Sequence, residues 1–362
     1  MDISKNMKIK LSFGSEVYQK LSQQLSMLDT FKGSWKEKES KQGQYLKELR
    51  KIATIESTGA STRIEGASLT NQEVGKLLAS IKVARFATRD EQEVAGYYDA
   101  LEVILENYTE IEISERYIHQ LHGILLKHSD KDRSHRGNYK TSSNKVLANY
   151  PDGTQRTLFD PTPPHLTPVE MPQLIDWLNE RMAKRDMHPL VFIAGFVYEF
   201  LSIHPYKDGN GRLSRLITTL LMMKQGYEFI QYVSFENVIE STKDEYYRVL
   251  IDGQQNRYKD NERIDSWVLY FMQCLITLTE RLEAKYETYS KLKTALNNRQ
   301  QQVLDFIRDH EPVQVRDIKK ALGEYSRNTL KKDLAYMVKE KLILKTGDRR
   351  GTRYHILKKE DT

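Results

Sequence analysis

The sequence predicts a mainly α-helical protein: a helical bundle interrupted by one β-hairpin, followed by a smaller unit of short helices and a basic hairpin. Three observations carry this expectation. Apolar residues recur three and four apart through most of residues 1–295, whereas strand-like alternation is confined to one stretch. Two segments, "HPLVFIAGFVYEFLSI" and "LITTLLMMKQG", are apolar nearly all round and belong at the centre of a bundle. From Leu296 the chain carries 16 Lys+Arg against 10 Asp+Glu, while residues 1–295 hold 40 of each, so the net charge of +6 sits entirely at the C-terminal end. That asymmetry marks a separate module with a polyanionic partner.

Taken in order, "GSEVYQKLSQQLSMLDTFKG" and "GQYLKELRKIATIESTG" carry helical spacing. In "TNQEVGKLLASIKVA", Thr70 and Glu73 form the capping-box pattern that starts a helix. "EQEVAGYYDALEVILENY" and "SERYIHQLHGILLKHS" continue the series. Residues 131–172 are rich in turn formers, and "NYPDGTQ" between "KVLA" and "RTLF" reads as a hairpin. Helices resume at "PQLIDWLNERMAKR", where Trp177 is a core residue, and run through "TKDEYYRVLIDGQQ" to the long "DSWVLYFMQCLITLTERLEAKYETYSKL". The last unit has three short helical patterns and two β-like runs joined by "DRRG", which is the winged-helix order. "SRNTLKKDLAYMVKEKLI" is its expected recognition helix, with Ser326 as N-cap. Arg327, Lys331 and Lys332 on that helix, and Arg349 and Arg350 at the wing tip, are the candidates for DNA contact. A winged helix that binds only protein is the other reading.

At 39% hydrophobic and 29% charged, the 362 residues read as a soluble globular chain. The N-terminal stretch lacks the apolar core of a signal peptide, and no apolar run approaches the ~20 residues of a membrane span. With Cys274 the one cysteine, no disulfide framework forms, and a cytoplasmic setting is expected; Cys274 itself reads as a buried hydrophobe. His119 and His122 are three apart but find no third ligand, so packing or surface hydrogen bonding is their expected role.

The chemistry concentrates in "HPYKDGNGRLSR", His204 to Arg215. Pro205 ends the preceding helix near Ile203. The loop with Gly209 and Gly211 then feeds a helix expected to begin at about Arg212. Backbone N–H groups at such a helix start, with the helix dipole, bind anions. Arg212 and Arg215 reach a polyphosphate, Asp208 offers a hard oxygen to Mg²⁺, and His204 is placed to take a proton from a hydroxyl. Together they suit nucleotide-dependent transfer at phosphorus.

This stretch resembles the Fic signature, H-P-F-x-D/E-G-N-G-R-x-x-R, with Tyr206 in place of phenylalanine. The resemblance extends over about residues 45–260 and includes "RGNYK", where Lys140 stands for a frequent arginine. It implies a Fic-type helical bundle with a β-hairpin flap, and transfer of AMP from ATP to a Ser, Thr or Tyr hydroxyl of a target protein. It further implies His204 as general base, Asp208 as ligand of Mg²⁺ (with Mn²⁺ as the alternative), and Gly209, Asn210 and Gly211 as the anion hole. Arg212 and Arg215 then hold the outer phosphates. An intact glycine–asparagine–glycine hole favours adenylylation over the phosphorylation of the toxin branch. The flap, around Ser143–Phe159 with Lys145, Val146 and Leu147 as candidates, pins the target by strand addition. Tyr246 and Tyr247 in "KDEYY" are candidates for the nucleoside pocket.

In the same family "STRIEG" matches an inhibitory motif, so Ser61, Glu65 and Gly66 are expected to form a brake. The Glu65 carboxylate would pair bidentately with Arg215 and occupy the γ-phosphate position. The alternative is an ordinary helix end with Gly66 as its cap. The expected organisation is residues 1–112 with the inhibitory helix, 113–262 the catalytic core, 263–297 a connecting helix and 298–362 the winged helix. A DNA-binding regulator whose core senses nucleotide is the rival function, and removal of AMP from the target a further activity. The helical N-terminal half offers surfaces for a homodimer.

Overall fold

The computed structural model describes residues 3–39, 43–81, 86–144, 146–149, 155–259, 261–340, 342–348 and 351–356. The chain divides into two compact units, 1–282 and 283–362. The first opens with α1 (Ile3–Lys10), α2 (Ser15–Glu39), α3 (Gly43–Ile64), α4 (Asn71–Ala79), α5 (Arg89–Asn107) and α6 (Glu115–Leu125). A hairpin, β1 (Val146–Asn149) and β2 (Gln155–Phe159), separates these from α7 (Thr167–Lys184), α8 (Pro189–Ile203) and α9 (Asn210–Lys224). A 3₁₀ turn (Glu228–Tyr232), α10 (Phe235–Ser241), α11 (Lys243–Gln254) and α12 (Asp265–Ala295) follow.

The all-round apolar α8 is the axis of the bundle, with every residue from Leu190 to Ile203 buried. Its partner α9 is buried from Leu213 to Met223. Trp267 on α12 closes over α8 and donates its indole N–H to the Ala194 carbonyl at 2.8 Å. The capping box at Thr70 and Glu73 forms as the sequence indicates, and a second one, Thr88 with Glu91, starts α5. Two boundaries move. Helix α3 runs five residues past Gly59, to Ile64, because Thr62 returns its hydroxyl to the Thr58 and Gly59 carbonyls and keeps the last turn satisfied. Helix α9 begins at Asn210 and not at Arg212, because left-handed Gly209 (φ 83°) already serves as N-cap.

The hairpin is antiparallel, Leu147 opposite Thr157 and Asn149 opposite Gln155, with a register shift between Val146 and Leu147. Residues 150–154 of its turn lie outside the described residues.

A buried charge cluster ties α1, α7 and α8 together. Arg257 donates to Glu199 at 2.8 Å, to Glu170 at 3.0 Å and to the Thr162 hydroxyl at 2.9 Å. Lys10 of α1 reaches Glu199 at 2.7 Å and Glu262 at 3.0 Å. Burial pushes the Glu199 carboxyl up, but Arg257 and Lys10 outweigh this and bring it down to about 2. Helix α1, which no sequence pattern marks, is thereby anchored through the far end of α8.

The second unit contains α13 (Asn298–His310), α14 (Val315–Ala321), α15 (Arg327–Lys339) and the antiparallel pair β3 (Ile343–Thr346) and β4 (Arg353–Ile356). An isolated bridge joins Val313 to Tyr354. Its own core gathers Val303, Ile307, Ile318, Leu330, Leu334 and Ile343.

Removing one member of a buried ionic cluster strands its partners. Arg257→Met is expected to destabilise the first unit by about 3–5 kcal/mol, measured as a drop in the denaturant midpoint at unchanged slope.

Candidate active site

The segment between α8 and α9 is held almost entirely by ties to its backbone. His204 closes α8 in the left-handed region (φ 52°), its N–H donating to the Phe200 carbonyl at 2.9 Å. For a non-glycine residue that conformation costs on the order of 1–3 kcal/mol and needs surroundings that impose it. Lys140 supplies them on both sides. Its ammonium donates to the Ile203 carbonyl at 3.0 Å, and its N–H donates to the Pro205 carbonyl at 2.9 Å. Burial lowers the Lys140 ammonium to about 8. Burial, with this ammonium nearby, brings the His204 imidazole down to about 4, so the ring is neutral near pH 7. Its Nδ1 lies 3.4 Å from the Leu201 carbonyl, which favours the tautomer that leaves a lone pair on Nε2.

Asn210 staples the loop. Its side-chain oxygen accepts from the Tyr206 N–H at 2.9 Å and its amide donates to the Tyr206 carbonyl at 2.7 Å. The Asn144 amide, at the base of the hairpin, donates to that same carbonyl at 2.9 Å. The asparagine side chain is therefore committed to the loop, and of this residue only the backbone N–H is left for an anion. Helices α4, α5, α6 and α15 all have a side chain accepting at the N-cap, whereas α9 has none. Its first N–H groups, at Asn210, Gly211 and Arg212, form an uncapped positive terminus. Buried Tyr206 keeps the aromatic wedge of the motif, and its extra hydroxyl lies 2.9 Å from His119 Nδ1.

Asp208 is ringed by cations. One oxygen accepts from the Gly209 N–H at 2.6 Å and from Arg212 at 3.0 Å; the other accepts from Lys131 at 3.0 Å, with Arg89 at 3.9 Å. Burial opposes ionisation, but Arg212, Lys131 and the Gly209 N–H outweigh it and hold the carboxyl well below the usual carboxylate range. Arg212 is itself buried and also pairs with Glu93 of α5 at 3.2 Å.

Arg215 is the other buried guanidinium. Its Nε donates to the Ser61 hydroxyl at 2.8 Å, and its Nη2 donates to the Ser61 carbonyl at 2.9 Å and to Glu65 Oε1 at 2.8 Å. Glu65 makes one contact in place of the expected bidentate pair, because Ser61 already takes the rest of that edge; among the described residues Nη1 is buried without a hydrogen-bond partner. A Cβ on Gly211 would overlap Glu65 Oε1, so the carboxylate lies directly against the start of α9. Glu65 follows the last residue of α3, and Gly66 turns the chain away at φ 105°. "STRIEG" is thus both a helix end and the Arg215 contact. That helix end is clamped: Arg63 pairs bidentately with Glu240 of α10 at 2.6 and 2.9 Å, and Lys243 donates to the Ile64 carbonyl at 2.7 Å. Buried Tyr246 stands beside Arg215; burial pushes its hydroxyl up to about 12 against the pull of the guanidinium. Tyr247 packs edge-on against Tyr246, 5.2 Å between centroids.

Lys145, Arg349 and Arg350 lie outside the described residues, as do the side chains of Val146 and Leu147. Arg327, Lys331 and Lys332 are exposed on α15. Lys131, Glu93 and His122 join this loop without any sequence signal to announce them. No local spacing links them to the signature, and only the fold brings them to it.

Residues 112–222 match the family model described as Fic/DOC. Over this segment the chain is similar to the Fic/DOC family. It is 29% identical over 184 residues to "Protein adenylyltransferase Fic" of Drosophila willistoni, and 29% identical over 186 residues to that of Aedes aegypti. Each match covers 50% of this chain and 34% of the relative, so the chain spans about a third of the length of these curated proteins. Among solved structures, a Fic family protein from Desulfovibrio desulfuricans G20 aligns at a TM-score of 0.64 and 21% identity, covering 95% of this chain and 97% of that one. C. elegans Fic-1 (residues 134–508) aligns at 0.58 and 22%, covering 76% and 74%. The mainly α, Fic-type fold expected from the sequence is the fold observed.

Ser61→Ala leaves the Nε–H of Arg215 unpaired in the bundle interior. The first unit should lose about 1–3 kcal/mol of stability, read as a lower denaturant midpoint.

Proposed function

We propose that this Fic protein is a protein adenylyltransferase that moves AMP from ATP to a hydroxyl of a target protein and is restrained by Glu65. The observation that carries the reading is the convergence of neutral His204, the uncapped start of α9 and buried Arg215 on one spot, with a carboxylate already seated against the arginine.

In this reading the target oxygen attacks the α-phosphorus as the bond to the bridging oxygen breaks and pyrophosphate leaves. The hydroxyl proton passes to Nε2 of His204. The N–H groups of Gly211 and Arg212 and the guanidinium of Arg215 stabilise negative charge on the phosphates. Among the described residues no cluster of three metal-ligating side chains occurs, so a metal would take one protein ligand, ionised Asp208. That fits Mg²⁺, which draws its other ligands from phosphate and water, and which would screen the phosphate charge when bound. Lys131 is half exposed and can yield its oxygen on Asp208 at small cost. The hairpin edge, at Val146 and Leu147, is the proposed seat of the target backbone.

Glu65→Gly should raise AMP transfer roughly ten- to hundredfold, the factor that a charge-assisted hydrogen bond of about 1.5–3 kcal/mol holds back. Adding His204→Ala should then remove the gain and at least ~10²-fold more. Incorporation of label from α-³²P-ATP into lysate proteins reads both. In the Glu65→Gly enzyme, kcat/KM should stay flat from neutral pH downward and fall only as pH drops through about 4, where His204 becomes protonated. A fall near 6.5 would contradict the neutral base.

For the second unit we propose a winged helix that contacts DNA. Arg327, Asn328, Lys331, Lys332 and Tyr336 are exposed along α15 while Leu330, Leu334 and Met337 enter the core, which leaves one long basic helix face to solvent. Fluorescence anisotropy with a labelled duplex should show affinity falling steeply with salt. Lys331→Ala/Lys332→Ala should shrink that slope by about one for each phosphate no longer neutralised. No binding, or binding indifferent to salt, leaves a protein partner as the reading.

A further inference from the structure

His122 lies 86 residues from the loop it touches and is completely buried. Its two ring nitrogens do different work. Nδ1 accepts the Gly137 N–H at 2.8 Å, so the ring proton must sit on Nε2, and Nε2–H then donates to the Asp208 carbonyl at 3.0 Å. The ring also stacks on Tyr206, centroids 3.8 Å apart and planes within 19°. A Cβ on Gly209 would touch it at 3.5 Å.

The peptide between Asp208 and Gly209 is thereby held at both ends. Its N–H turns inward to Asp208 Oδ1 at 2.6 Å, and its carbonyl turns outward to His122. Gly209 has left-handed geometry, and a glycine at such a turn accepts either orientation of the preceding peptide at little cost. His122 is the partner that this carbonyl finds, so His122 chooses the orientation. The choice sets where the Asp208 carboxylate points and which way the head of α9 faces.

We infer that His122 is a positioning residue for nucleotide and metal: it fixes the Asp208–Gly209 peptide, and through it the carboxylate that would ligate Mg²⁺. The inference rests on the reading of this site as a nucleotidyl-transfer centre. The metal-dependent part of nucleotide binding should feel the loss of the Nε2–H donor, while a role confined to packing should not distinguish it from any other change in the ring.

Three substitutions in the Glu65→Gly background separate the contributions. His122→Gln carries an amide N–H out to the position of Nε2 and keeps the donor. His122→Asn keeps an acceptor near Nδ1 but falls short of Asp208. His122→Phe keeps only the stacked ring. Calorimetric titration with ATP, in Mg²⁺ and in EDTA, gives the gain in affinity that the metal brings. That gain should fall roughly tenfold or more in the Asn and Phe variants and stay within about threefold of the parent in the Gln variant, a span typical of groups that orient a metal ligand. Far-UV circular dichroism and melting establish that each variant is folded; should Phe fail, the Gln and Asn pair decides alone. A metal-dependent gain unchanged in Asn, or lost equally in Gln and Asn, overturns the inference. If the Glu65→Gly parent binds ATP with no response to Mg²⁺, the transfer reading falls first and this inference falls with it.

Discussion

The guanidinium of Arg215, only 2% exposed in the middle of a helical bundle, imposes conditions on everything around it. A buried cation with five N–H donors has to be answered by acceptors, or the fold loses several kcal/mol. The bundle answers it with the end of α3: the Ser61 hydroxyl and carbonyl, then the Glu65 carboxylate. This explains why α3 docks where it does, why its last turn is clamped by Arg63 and Lys243, and why glycine stands at 211, where any side chain would meet Glu65. In the proposed reading, a carboxylate that takes up Nη2 of a phosphate-binding arginine is both structural and inhibitory. The same contact that satisfies the fold excludes a substrate that must make it.

The loop from His204 to Gly209 is built on a complementary principle. Its shape comes from side chains gripping backbone: Lys140 on Ile203, Asn210 and Asn144 on Tyr206, His122 on Asp208. Among the described residues, such ties leave the outward groups, the imidazole Nε2 and the first N–H groups of α9, without a hydrogen-bond partner. Preorganised donors of this kind need no rearrangement when charge develops, which is where their proposed catalytic value lies.

Much of this is legible in the sequence because the relevant signals are local. Pro205 after an apolar run, glycines before a helix and a capping box at Thr70 each act within one turn. The α8–loop–α9 arrangement follows from them, with α9 starting two residues early because Gly209 caps it. Contacts across long separations leave no such trace. Arg257 with Glu170, Arg212 with Glu93 and Lys131 with Asp208 are paired by the fold and by no spacing. His119 and His122 look like ordinary surface or packing residues because their partners, Tyr206 and Asp208, lie far along the chain. The bidentate pairing expected of Glu65 assumes a free arginine edge, and Ser61 already holds it.

The clamp at the end of α3 also determines how little has to move. Arg63 and Lys243 hold the helix on its neighbours by its penultimate residue and its final carbonyl, one step short of Glu65. The carboxylate hangs beyond the fixed point on its own three torsions, and 31% of that side chain is open to solvent. It can therefore swing clear while the helix keeps every anchor. The proposed restraint would work like a latch on a short arm, not like a door on a long hinge. Side-chain rotations at a partly open site run on the picosecond-to-nanosecond scale, against microseconds or longer for a helix leaving its bed. In the proposed reading, occupancy of the arginine is then a local competition between one carboxylate and a phosphate, settled anew at each encounter with nucleotide.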